Sequence, residues 1–430
     1  MLDMAPGRLP GADLKMLTVH KELVRFRNNW VVLAGFALLM VWNVALPKGG
    51  VDYQGIPITF GYLALGAATV PSILGLLRRP DVSVFPLVHL ICFYVPLGMM
   101  ALYKALASDA STSNLVVDMA IFLAMPTIFL LLFAPFIEDI SENQIGIVLK
   151  WCIRFVVIWG LMNFILYIIT KQLLEIPYIT VNAGDLGRIY NKNNRRGALM
   201  KLVSSYNNGN IFGVCMVMLA PVYVYFEKSR LWIVAFCAAI ILTLSRTAWF
   251  GLACVFVILT MIGQVRLSRG YVWAALAAGV AGILLILPLI GWTSDKLVDR
   301  KLGGRLHQLT DLEISWFGAP TVKIQEIVYA GLLQSFGVLG FLVALLALSF
   351  AVIYGLATFH RISPFRRAAL AGCLCYLFAA MSDGAFIFPP VIAIYLFLNI
   401  LVYRRGCRWA AQPAIASSPK PIPPALVGAG

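Results

Sequence analysis

The residues of this 430-residue chain best suited to chemistry are a few charged side chains set at the edges of long apolar runs. Arg246 interrupts such a run in Leu242-Thr243-Leu244-Ser245-Arg246-Thr247-Ala248-Trp249. The stretch Leu231–Leu244 before it spans only about 21 Å as a helix, so the guanidinium is expected slightly below a membrane surface, at a helix-to-helix turn. An ionisable group at that depth is a functional candidate; the plainer reading is a terminal arginine snorkelling to the headgroups. Arg195, Arg196 and Lys201 precede Ser204-Ser205-Tyr206-Asn207-Asn208-Gly209-Asn210, after which another apolar run begins. Ser and Asn cap helices, and a helix N-terminus favours anions, so basic side chains beside it form a plausible diphosphate cradle. Plain capping with solvated charge accounts for the same residues.

Two further positions concern proton transfer. Gly303-Gly304-Arg305-Leu306-His307 combines a phosphate-matching guanidinium fork with an imidazole that is a credible base near neutral pH. A lone loop histidine is also commonly incidental. Glu326 opens the run Ile327-Val328-Tyr329-Ala330-Gly331. There, burial near a membrane would raise its pKa and suit proton transfer, whereas a merely structural acid would complement the dipole of the first helical turn.

The elements that must position these groups follow from composition. The chain is 61% hydrophobic and 12% charged, with a mean hydropathy of +0.87; soluble domains carry about 25% charged residues. The apolar runs are continuous rather than alternating, which selects membrane helices over a barrel. Runs long enough to approach the roughly 30 Å of hydrocarbon lie at 30–46, 57–77, 82–103, 115–137, 152–170, 206–226, 231–245, 247–265, 270–292, 327–357, 367–382 and 384–403. The expectation is an all-α integral membrane protein of about twelve transmembrane helices, both termini cytoplasmic. Its parts are a tail at 1–29, helices 1–5 over 30–170, a loop at 171–205, helices 6–9 over 206–292, a large loop at 293–326, helices 10–12 over 327–403, and a disordered tail at 404–430. The first run has no cleavage-site exit and reads as a retained span.

Basic clusters fix the orientation. Arg78/Arg79, Lys228/Arg230, Arg266/Arg269, Arg361/Arg366/Arg367 and Arg404/Arg405/Arg408 all fall inside when 231–265 is divided at Arg246. The loop 171–205 breaks the rule, with six basic residues (Lys171, Arg188, Lys192, Arg195, Arg196, Lys201) against Glu175 and Asp185. The loop 293–326 balances five bases against five acids. Longer loops cross regardless of charge; the functional reading is an outward-facing anion site.

The eight cysteines avoid the long loops, so no disulfide framework is expected, and Cys373-x-Cys375 has no histidine near it for a metal set. Walker A, H-E-x-x-H and G-x-S-x-G signatures are missing. Outer acids are few and scattered, so chemistry there would be metal-free and would use an already activated donor. No cofactor and no nucleic-acid partner is expected.

With those residues in view, the chain resembles the O-antigen ligase/O-antigen polymerase family of bacterial cell-envelope enzymes. Leu242–Trp249 is similar to that family's Ser-Arg-Gly/Ala motif, and Lys201 through Gly213 to its basic residue followed by an Asn-Pro-Asn-like helix start. Gly304-Arg305, then Glu326-x-x-Tyr329 and Gly337-x-x-Gly340, resembles the large outer loop and the helix after it. The resemblance covers roughly residues 140–400. It implies a class C glycosyltransferase fold in the bacterial inner membrane, its active site facing the periplasm. The implied partners are an undecaprenyl diphosphate-linked glycan donor, a glycan or lipid A-core acceptor, and membrane lipids. Arg195, Arg196, Lys201, Arg246, Arg305 and Tyr329 would then bind the diphosphate or substrate, and Glu326 or His307 would be the catalytic base. Family ligases usually carry His-Asn at the start of the helix after the large loop; Gln325-Glu326 stands there, which favours a polymerase. The alternatives are an O-antigen ligase and, from another class, a polysaccharide transporter or flippase. A transporter would need midplane charges or inverted repeats, and neither is evident.

Overall fold

The computed structural model describes residues 30–53, 56–78, 83–108, 112–187, 190, 194–196, 199–263 and 305–405. The expected tail at 1–29, residues 406–430 of the expected tail at 404–430, the expected span at 270–292, and the loop residues 293–304 lie outside the described residues. Within them the regular structure is helical apart from two short hairpins. Helices α1 (Trp30–Ala45), α2 (Phe60–Arg78), α3 (Val84–Ala107), α4 (Asn114–Glu138), α5 (Glu142–Thr170), α6 (Gly209–Phe226), α7 (Arg230–Ile241), α8 (Arg246–Met261), α9 (Val328–Ala357), α10 (Pro364–Ala379) and α11 (Pro389–Tyr403) follow in order. Five of them, α3, α4, α5, α6 and α9, are long and apolar enough to cross a membrane. The protein is an all-α membrane protein.

Local sequence explains several irregularities. Three π turns, Leu90–Tyr94 in α3 and Ala120–Ala124 and Ile128–Phe133 in α4, are each followed two residues later by a proline: Pro96, Pro126 and Pro135. A proline inside a helix lacks an N–H and clashes with the carbonyl four residues back. That carbonyl belongs to Cys92, Phe122 and Leu131 respectively, in every case inside the widened turn. The helix therefore passes the proline without breaking. The run 327–357 behaves differently. Gly337 adopts φ 67° and ψ −173°, so α9 is a short helix from Val328 joined at a kink to a longer one ending at Ala357.

At the centre stand α6 and α11, with 14 of 18 and 14 of 15 residues buried. Helix α6 packs closely on its neighbours: a Cβ on Gly372 of α10 would strike Met218 O, and one on Gly213 would sit 2.7 Å from Ala248 Cβ on α8. Small residues at such crossings are how membrane helices gain van der Waals contact where lipid offers no hydrophobic drive.

The two ends of the bundle are built differently. At one end Arg366 donates to Val402 O (2.6 and 2.9 Å), Arg404 to Ile140 O, and Ser363 to Glu142 Oε1 (3.2 Å), closing short connections. At the other end lie the long connections. There β1 (Gly50–Tyr53) pairs antiparallel with β2 (Ile56–Thr59), register Gly50↔Thr59, and Asn182 Nδ2 donates to Val51 O at 2.8 Å. The one-turn segment Ser204–Tyr206 docks on the π-turned end of α1, with Ser205 donating to Ala45 O (2.6 Å) and Tyr206 to Val44 O (2.9 Å). All six described non-glycine residues with left-handed backbone, namely Lys171, Tyr178, Ser204, Asn207, Leu244 and Ala385, belong to this second end.

Candidate functional site

The site is assembled at the N-terminus of the buried helix α6. Asn208 is its N-cap, accepting from the backbone N–H of Asn210 (2.8 Å) and Ile211 (3.4 Å). Capping leaves the Asn210 side chain free to turn outward. Its Oδ1 accepts from Lys201 Nζ (2.9 Å) and its Nδ2 donates to Asp383 Oδ2 (2.8 Å). Lys201 is itself buried, and its backbone N–H is held by Asn194 O at 2.7 Å. The next residue, Leu202, donates to Leu242 O at 2.9 Å, tying this strand of chain to the end of α7.

Arg305 completes the network. Its Nη2 donates to Asp383 Oδ2 (2.8 Å), its Nη1 to Ser382 O (3.3 Å), and its Nε to Glu326 Oε2. One guanidinium fork thus bridges two carboxylates, Asp383 buried and Glu326 at 57% side-chain exposure. Thr247 Oγ1 lies 3.0 Å from Ser382 Oγ, which places the first turn of α8, and with it Arg246, against the same 382–383 connection. Ser245 caps α8 through Ala248 N–H at 3.5 Å, so Arg246 is the first residue of that helix. Burial pushes the Asp383 carboxyl above the ordinary carboxylate range; the Arg305 charge opposes this without cancelling it.

The sequence-predicted residues thus fall into two groups. Lys201, Arg305 and Glu326 join one hydrogen-bonded network, and Arg246 lies one residue from its edge. His307 begins a one-turn helix, His307–Thr310, two residues beyond Arg305, and is exposed. Arg195 and Arg196 form strand β3, paired with β4 (Leu199–Met200) in a hairpin that leads into Lys201; their side chains lie outside what is described. Tyr329 turns away from the network, its hydroxyl donating to Leu377 O of α10 at 2.9 Å.

Two expectations need correction. Glu326 does not sit in the first turn of the following helix: α9 begins at Val328 with Ile327 as N-cap, and its first turn holds no acid. Nor is Glu326 buried at the membrane edge, because the connection carries it out over the site to meet Arg305. The buried carboxyl is Asp383, a residue that reading for basic side chains passes over. Its signal is nonetheless in the sequence: Ser382-Asp383-Gly384 is an acid alone between two apolar runs.

Chemically, the described network sets two cations, Lys201 and Arg305, against two carboxylates, Asp383 and Glu326, with Arg246 adjoining. An incoming diphosphate could take over donors that the carboxylates hold at rest. No protein-family model matches the chain, and no curated protein matches it significantly.

Proposed function

We propose that the protein is a glycosyltransferase of the O-antigen polymerase type. It moves a glycan from undecaprenyl diphosphate to an acceptor glycan on the periplasmic side of the bacterial inner membrane. In this reading the chain crosses the membrane twelve times with both termini in the cytoplasm, and the end carrying the long loops is periplasmic. The observation that carries it is the Arg305 bridge between Asp383 and Glu326, next to Lys201 and the start of α8, at one end of a membrane bundle.

The acceptor hydroxyl oxygen attacks the anomeric carbon, and the bond from that carbon to the diphosphate oxygen breaks. The electron pair leaves on the diphosphate. Arg305, Lys201 and Arg246 stabilise the charge that develops there. When Arg305 turns from Glu326 to the diphosphate, the freed carboxylate accepts the acceptor's proton. The exposure of Glu326 suits this role, because an acceptor arriving from water can reach it. A ligase would share this chemistry with lipid A-core as acceptor. Glu326 in the place of the ligase histidine, hydrogen-bonded within the site, favours the polymerase reading.

The experiment is transfer from undecaprenyl diphosphate-linked glycan by the full chain in proteoliposomes. Arg305→Ala should reduce transfer by about 10³-fold, the upper end for removing one preorganised donor. Arg246→Ala should also abolish transfer, and Arg246→Lys should restore little, because an ammonium cannot reproduce the fork. Transfer at the wild-type rate in Arg305→Ala would end this reading.

A further inference from the structure

We propose that Ile314–Phe317, midway along the connection from Arg305 to Glu326, is an interfacial anchor. Its side chains seat among the acyl chains of the lipid leaflet at the site end of the bundle. The inference rests on the protein being a membrane protein and is independent of the glycosyl-transfer reading.

The backbone of this segment is fixed in place. Lys104, buried in the last turn of α3, donates to Phe317 O (2.8 Å) and Ala319 O (2.6 Å). From α9, Val338 N–H donates to Ser315 O (3.0 Å), and Ala319 N–H donates back to Gln334 O (2.7 Å). The kink at Gly337 makes room for this docking. Gly318 and Gly337 both have positive φ, 76° and 67°, and a Cβ on either would strike the other's backbone. Only glycine accepts both the conformation and the approach.

The docking sets the height of the segment. Below the kink, the part of α9 from Val338 to Ala357 spans about 30 Å at the helical rise, the thickness of the hydrocarbon. The segment is therefore tied to the last turn of one membrane helix and to the upper end of another.

Its side chains face outward. Ile314, Trp316 and Phe317 are 67%, 65% and 70% exposed. They continue an exposed apolar flank formed by Leu106 of α3 and by Leu339 and Leu342 of α9; Leu339 N–H donates to Trp316 O. An aqueous loop with its backbone so firmly held gains nothing from presenting three large apolar groups to water. Aromatic residues at the membrane–water boundary are where tryptophan and its neighbours are favoured.

The test is photocrosslinking of the full chain in vesicles of phosphatidylethanolamine and phosphatidylglycerol. p-Benzoylphenylalanine is placed singly at Phe317, at Leu342 as a lipid-facing position, and at Thr310 as an exposed position on the connection. Mass spectrometry reads the phospholipid adducts. The adduct yield at 317 should match that at 342 and exceed that at 310 by about fivefold or more. A yield at 317 no higher than at 310, in preparations where 342 does crosslink, would overturn the proposal.

Discussion

An arginine–carboxylate pair lies at each end of helix α6, and the two pairs are built on opposite principles. At its C-terminal end Arg154 meets Glu227 twice (2.8 and 3.0 Å), lying between Trp151 and Trp232, with ring centroids 5.2 and 4.7 Å away. Glu227 also accepts from Tyr223 OH (3.3 Å) and Ser229 N–H (2.9 Å). Every strong partner is internal, and the pair closes on itself. About 27 Å away along the helix, Arg305 is shared between two carboxylates, one of them open to solvent, and the surrounding chain adopts left-handed backbone at residues such as Leu244 and Ala385. Each such conformation costs about 1–3 kcal/mol. A closed pair fastens helices together. An open network supported by strained connections is arranged to exchange partners.

That contrast can be broken experimentally, and the largest effect is expected in the open network. Glu326→Gln should lower transfer by about 10³-fold, within the range for a general base, while donor binding persists. His307→Ala should stay within about threefold of wild type, since its side chain is exposed at the start of the one-turn helix His307–Thr310. Steady-state transfer together with donor binding to both variants distinguishes the roles. A dead His307→Ala beside an active Glu326→Gln would reverse them.

The closed pair should respond in the opposite way. Glu227→Ala leaves the part-buried Arg154 without its carboxylate, a loss of about 1–3 kcal/mol, so the melting temperature in detergent should drop. Transfer per folded molecule should be unchanged. Asp383→Ala should cost much less stability, because Glu326 still holds Arg305. If thermal unfolding shows equal losses for the two, the distinction between closed and open pairs is wrong.

The smallest effect is a pH dependence. The Asp383 carboxyl is raised by burial, so the fold favours its protonated form. Its contribution to stability is present at low pH and lost as pH rises through the raised value. Activity should run the other way, because only the ionised carboxylate holds Arg305. Melting temperature and transfer measured between pH 4 and 8 should therefore slope in opposite directions, and Asp383→Asn should flatten both. Parallel slopes would contradict the assignment.

How far the sequence could be read varies by region. Apolar runs locate the described helices, and the charge at Arg246 marks the gap between Ile241 and Arg246. The kink at Gly337 is hidden from hydropathy, since the apolar run continues across it without a charged residue, though 30 residues exceed what one crossing needs. The π turns leave no apolar signature either; their trace is the spacing to Pro96, Pro126 and Pro135. At the site, charge at the edges of runs singles out Lys201, Arg246 and Glu326, and the large loop offers Arg305. The partners that orient them, Asn210 and Asp383, emerge only when α6 and the α10–α11 connection are brought together, a juxtaposition across 173 residues. Tyr329 shows the converse, a residue drawn in by its motif position whose hydroxyl instead fastens α9 to α10.

The most direct test is to reconstitute the purified full chain with an undecaprenyl diphosphate-linked oligosaccharide as the sole donor. Released undecaprenyl diphosphate and lengthened glycan are then measured together. One released diphosphate per glycan bond formed, with both products lost in Arg305→Ala protein that retains the wild-type melting profile, is the predicted result. If the wild-type protein neither binds the donor nor releases undecaprenyl diphosphate from it, the claim of a diphosphate-handling site at the N-terminus of α6 is contradicted.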